Sequence, residues 1–162
     1  MNDLFKKDAP ATGILTRWWQ NLENNKGTRA ELRRCDSPEK VMFHPAFPHL
    51  CHQLEPWLGE EWNWELRLAA VVGLLSHVRK TTGQRLAYQM AGNPPKVSEL
   101  RFRRLLQRER DDLYGAMIRI LQMLDQTANL PDLFNSVFYW GDPVRKRWAF
   151  EYFPNTPESK SA

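Results

Sequence analysis

Arginines set at helical intervals are the groups in this chain best suited to chemistry with a partner. From Lys96 to Arg110 the sequence carries six cations against Glu99 and Glu109, a local balance of +4. The whole chain is also +4, so the remaining residues sum to about zero and the excess sits in this one window. At about 100° per residue, Phe102, Leu105, Leu106 and Leu113 share an apolar face. Arg101, Arg104 and Arg108 stack along one flank of it, and Arg103 and Arg110 share the other. A guanidinium is always charged and its planar fork grips phosphate oxygens in pairs, which suits a nucleic-acid backbone. The plainer alternative is a solvated face whose aliphatic stems cover the edge of a core.

Two smaller clusters share this character: Arg29, Arg33 and Arg34 around Glu31, and Arg145, Lys146 and Arg147 after the turn Gly141-Asp-Pro143. Other chemistries find less support. Cys35, His44, His49, Cys51 and His52 lie close in sequence without the paired spacing of a zinc site, so no metal is expected. The pairs Glu60-Glu61 and Asp111-Asp112 fall where helices start, and the helix dipole accounts for them. There is no glycine-rich phosphate loop, nucleophile elbow or His-x-x-x-His pair, so neither an enzyme nor a cofactor is expected.

The elements that must position these residues all read as helix. A first helix runs from Pro10–Thr12 to Asn24 on Ile14, Leu15, Trp18, Trp19 and Leu22. Thr28 with Glu31 suggests a capping box, Ser37-Pro38 another start, and Ala46–Leu54 a short helix. Glu61 to Lys80 should be the longest and most buried helix, and another short one ends at Gly92. Asn93-Pro94-Pro95 breaks the chain most clearly. Ser98 caps the arginine helix, Asp111-Asp112 restart the chain, Pro131 opens a helix to Trp140, and a last helix sets Trp148, Phe150 and Phe153 inward. The expected fold is all-α, about eight to nine helices in two lobes: 1–92, a linker at 93–97, then 98–153 with the basic face and a loose tail at 154–162. No strand is expected.

Composition agrees. A chain of 162 residues with 42% hydrophobic content can bury a sizeable core. Its seven tryptophans imply a Trp-rich interior, with Trp140 the best candidate for stacking on a base. The longest apolar run, Leu68 to Leu75, is eight residues, and no leader-like stretch opens the sequence, so a cytoplasmic protein with reduced thiols is expected. Between residues 55 and 65, Glu55, Glu60, Glu61 and Glu65 stand unopposed among Trp57, Trp62 and Trp64. That acidic stretch suits a protein neighbour better than nucleic acid.

Taken together, Trp18-Trp19, the block Arg29-Ala-Glu-Leu-Arg-Arg34, the block Ser98-Glu-Leu-Arg-Phe-Arg-Arg-Leu-Leu106, and the closing Trp140-Gly, Trp148 and Tyr152-Phe153 resemble the CasB family. That family is the small subunit of the type I-E CRISPR surveillance complex, Cascade. The resemblance implies an all-helical, non-catalytic protein that assembles as a pair, against the backbone subunits and the large subunit. It implies binding of guide RNA and target DNA without sequence preference, stabilising the R-loop. Carried onto this chain, the matching basic positions are Arg33, Arg34, Arg101, Arg104, Arg108 and Arg119, with Arg145–Arg147 similar in character. Lys96, Arg103 and Arg29 are candidates through their charge clusters. A helical DNA-binding regulator and a structural adaptor with basic faces remain the competing readings.

Overall fold

The computed structural model describes residues 3–158. Ten α-helices follow one another among them: α1 Pro10–Asn21, α2 Lys26–Arg33, α3 Pro38–Met42, α4 Ala46–Leu58, α5 Trp64–Leu75, α6 Leu86–Met90, α7 Glu99–Leu106, α8 Arg110–Met123, α9 Leu130–Phe138 and α10 Asp142–Tyr152. The all-α class expected from the sequence holds, with ten helices counting the two five-residue ones, α3 and α6.

The middle of the molecule is built on α5. Leu68, Ala69, Val71, Val72, Leu74 and Leu75 are all buried, so this helix has almost no solvent face. It packs on α3 and α9 and also touches α2, α4 and α8. Gly73 faces Tyr114 of α8 so closely that a Cβ there would collide with the phenol. Arg67 is the one charged residue taken inside α5. Its guanidinium donates to the carbonyls of Phe138 (2.9 Å) and Trp62 (2.7 Å) and lies 4.0 Å from the centre of the Phe138 ring. Those partners replace the water that the charge loses.

One hydrophobic cluster runs on past the Asn93–Val97 connection, and α6 packs on α10. A buried polar network stitches that contact. Asp132 accepts from the free backbone N–H of Leu86 (2.8 Å), from Ser136 (3.0 Å) and from Arg147 (3.0 Å). Arg147 also reaches Glu151, which pairs with Arg85 as well. Phe153–Asn155 form a 3-10 turn, and Thr156 Oγ1 accepts from the Gly92 N–H at 3.3 Å. Residues 159–162 of the expected tail lie outside the described residues.

Several local expectations need correction. Thr28 lies inside α2, which starts at Lys26 with no side-chain cap, so there is no capping box. The short helix expected at 46–54 continues to Leu58: Pro48 sits in its first turn, where no N–H is needed, and Pro56 removes a bond only near its end. The central helix is shorter than 61–80 at both ends, and at 12 residues it is not the longest, since α4 has 13 and α8 has 14. A pair of two-residue strands does occur, β1 Lys80–Thr81 parallel to β2 Thr127–Ala128, too brief to show alternation in sequence. It is set up by Asp125 and Gln126, both in the left-handed region, which turn the end of α8 beside the end of α5. Trp148 turns inward as expected, together with Val144, Glu151 and Tyr152, but Phe150 and Phe153 are exposed.

Candidate nucleic-acid interface

The arginine window is an elbow rather than one helix. Ser98 Oγ accepts from the Arg101 N–H (3.3 Å) and starts α7. After Leu106 the chain bends through Gln107–Glu109 and α8 begins at Arg110. The inner face of α7, Phe102 and Leu105, is buried, which turns Arg101 and Arg104 outward. Leu113, Met117, Ile120 and Leu121 anchor α8 in the same way and leave Arg119 exposed.

Between the two helices lies an open groove of about 190 Å³. Arg101, Arg104 and Arg108 line it from the α7 side and Arg119 from α8, over a floor that includes Leu105, Ile120 and Met123. Among the described residues none of these four arginines forms an ion pair. Four uncompensated guanidinium groups over a largely apolar floor concentrate positive charge of the kind that attracts polyanions.

The elbow is pinned from behind. Arg145 Nη2 (2.6 Å) and Trp140 Nε1 (2.9 Å) both donate to the carbonyl oxygen of Arg108. Arg145 also meets Glu109 and Asp142 and lies over the Trp140 ring. On the other side of the bend, Arg110 donates to the carbonyls of Val137 (3.2 Å) and Trp140 (2.9 Å), closing the C-terminal end of α9. Burial, with Arg67 nearby, pushes the Arg110 guanidinium below its ordinary value. Arg110 therefore leaves the flank that the sequence shares between it and Arg103. Trp140, expected to stack on a base, is instead buried, edge-on to Trp148.

The other nominated cations divide by environment. Arg29 is 3% exposed and paired with Glu23, and Arg147 sits in the Asp132–Glu151 network. Arg145 is held in the clamp. Arg34, Lys96, Arg103 and Lys146 are exposed and Arg33 is half-buried, and none of these five is in an ion pair among the described residues. Charge clustering in sequence misses this division, because a buried arginine and a surface one look alike there. A usable signal is the carboxylate: Asp132 and Glu151 fall within helices at otherwise apolar positions. The apolar floor of the groove was also missed, since Leu105 and Ile120 read only as core.

Among the described residues no group of three or more His, Cys, Asp or Glu side chains could hold a metal ion. Cys35 and Cys51 are free thiols. Among the described residues no helix is long and apolar enough to cross a membrane.

The fold has close counterparts among solved structures. One is a chain of E. coli Cascade crystallised with a PAM-containing double-stranded DNA target: TM-score 0.69, 22% identity, 91% of this chain and 96% of that one covered. Another is CasB from Thermus thermophilus: TM-score 0.63, 23% identity, 90% of this chain and 98% of that one covered. No curated protein is similar enough in sequence to match. The model of the CRISPR-associated protein Cse2 family matches residues 28–153, more than three quarters of the sequence. With the helical fold agreeing and the CasB resemblance holding, the chain belongs to the CRISPR-associated protein Cse2 family.

Proposed function

We propose that this chain is the non-catalytic small subunit of a type I-E Cascade complex in the cytoplasm. It works beside the backbone subunits, the large subunit and a second copy of itself. Its task is to hold guide RNA and target DNA by their backbones, including the strand displaced in the R-loop. The observation that carries this reading is the α7–α8 groove, with Arg101, Arg104, Arg108 and Arg119 uncompensated over it. Arg33, Arg34, Lys96, Arg103 and Lys146 would extend the track. Arg29, Arg145 and Arg147 serve the fold, because their charges are already matched inside it.

Forming an R-loop exchanges one duplex for another of similar stability, so a few phosphate contacts can tip it. The groove lining includes no Asn, Gln, Ser or Thr, the side chains that with arginine read base edges. A subunit serving a changing guide gains from that neutrality, and a sequence-reading regulator would lose by it. The test is binding of labelled single-stranded DNA of unrelated sequences to the chain, then R-loop lifetime in the assembled complex. The triple reversal Arg101→Glu, Arg104→Glu, Arg108→Glu should fold normally, bind all strands much more weakly and shorten R-loop lifetime. Full affinity in that variant would overturn the site, and a marked preference for one sequence would favour the regulator.

A further inference from the structure

A second groove, of about 380 Å³, has the opposite sign. Met42, Phe47, Cys51 and Trp64 give it apolar walls, and Glu55 and Glu65 stand at its edges. The spacing follows from the helix: Phe47, Cys51 and Glu55 recur every four residues along one face of α4, and Trp64 and Glu65 open α5 beside it. Both glutamates are exposed and neither side chain has an ion-pair partner among the described residues. The two carboxylates bear on the same point: with burial the larger cause, both help push the Cys51 thiol up to about 12. No lysine or arginine lines the groove, although the chain as a whole is +4. Next to Met42, the Phe43 ring is 89% exposed.

An apolar trough with unpaired carboxylates at its edges repels phosphate and matches the amphipathic build of lysine and arginine. The aliphatic stem lies along the apolar wall and the cationic head meets the carboxylate. We propose that this groove docks a protein segment of a neighbouring subunit, one that sets an apolar side chain between lysine or arginine residues. The inference rests on the reading of the chain as a subunit of a larger complex, and adds which face meets protein. On this arrangement nucleic acid and protein partners occupy grooves of opposite charge, and each can be disabled alone.

The experiment is incorporation of the full chain into the complex assembled from its remaining subunits, read by size-exclusion chromatography alongside single-stranded DNA binding by the chain alone. Glu55→Lys with Glu65→Lys should lower incorporation by about tenfold or more through like-charge opposition, and leave melting temperature and DNA affinity undiminished. Glu55→Gln with Glu65→Gln should fall between. Incorporation of the double reversal at the wild-type level would overturn the groove assignment alone. Failure of the wild-type chain to join would instead overturn the subunit reading, and this proposal with it.

Discussion

On the proposed reading, with one phosphate contact for each groove arginine, replacing one of them should change how steeply DNA binding depends on salt. Each phosphate contact to a single strand releases about 0.7 of a counterion, so the four groove arginines give a log–log slope of about −2.8. Raising salt from about 50 to 200 mM would then weaken binding about fiftyfold. Arg104→Ala removes one contact, and the slope should become about −2.1. At about 0.1 M salt the same loss is worth roughly fivefold in affinity, and little at 1 M, where release no longer drives binding. Arg104→Lys keeps the point charge and should keep the slope. Arg29→Ala lies outside the groove, its charge spent on Glu23, and should leave the slope at the wild-type value while lowering stability. Fluorescence anisotropy across four or five salt concentrations resolves these differences. An unaltered slope in Arg104→Ala, or a shallower one in Arg29→Ala, would refute the division of arginines into groove and interior.

Further outcomes concern the scaffold. Arg147→Ala leaves the buried Asp132 without a cation, Glu151 keeping Arg85, and should cost about 3 kcal/mol, read by urea denaturation, with DNA binding by the folded fraction retained. Gly73→Ala drives a methyl group into the Tyr114 phenol and should cost about 1–3 kcal/mol, whereas the double change with Tyr114→Phe should recover part of it. His77 is buried, no hydrogen bond reaches its ring nitrogens, and burial with Arg33 nearby pushes it down from 6.5 to about 4. The unfolded chain therefore takes up a proton near pH 6.5 that the folded chain refuses until about pH 4. Stability should fall across that window as pH drops, by up to about 3 kcal/mol, and His77→Leu should flatten the decline in denaturation midpoints measured at pH 7, 5 and 4.

Much of the fold was legible because helices advertise themselves locally. Ser37 and Ser98 each cap the helix expected of them, and the apolar spacing around Val71 identified the central helix. The two-residue strands were not legible, since their pairing joins positions 80 and 127 and neither stretch is long enough to carry a pattern. The site was half legible. Arg101, Arg104 and Arg108 were visible as a stripe, but that Arg119 shares their groove depends on how α8 folds back, which spacing does not encode; the family resemblance alone brought it forward. Least legible was which arginines stay free. Arg145 and Lys146 are neighbours in sequence, yet one clamps a carbonyl and the other faces solvent. That difference comes from partners more than thirty residues away, beyond the reach of any local count of charge.

The clamp on the Arg108 carbonyl also sets an order of events during synthesis. The ribosome makes residues 99–123, and with them all four groove arginines, before it makes Trp140 and Arg145. A nascent chain at that stage carries the positive charge without the two donors that fix the bend. The groove reaches its final geometry only when the last helix has emerged and docked. The late clamp thus makes the shape of the α7–α8 elbow depend on residues synthesised after it.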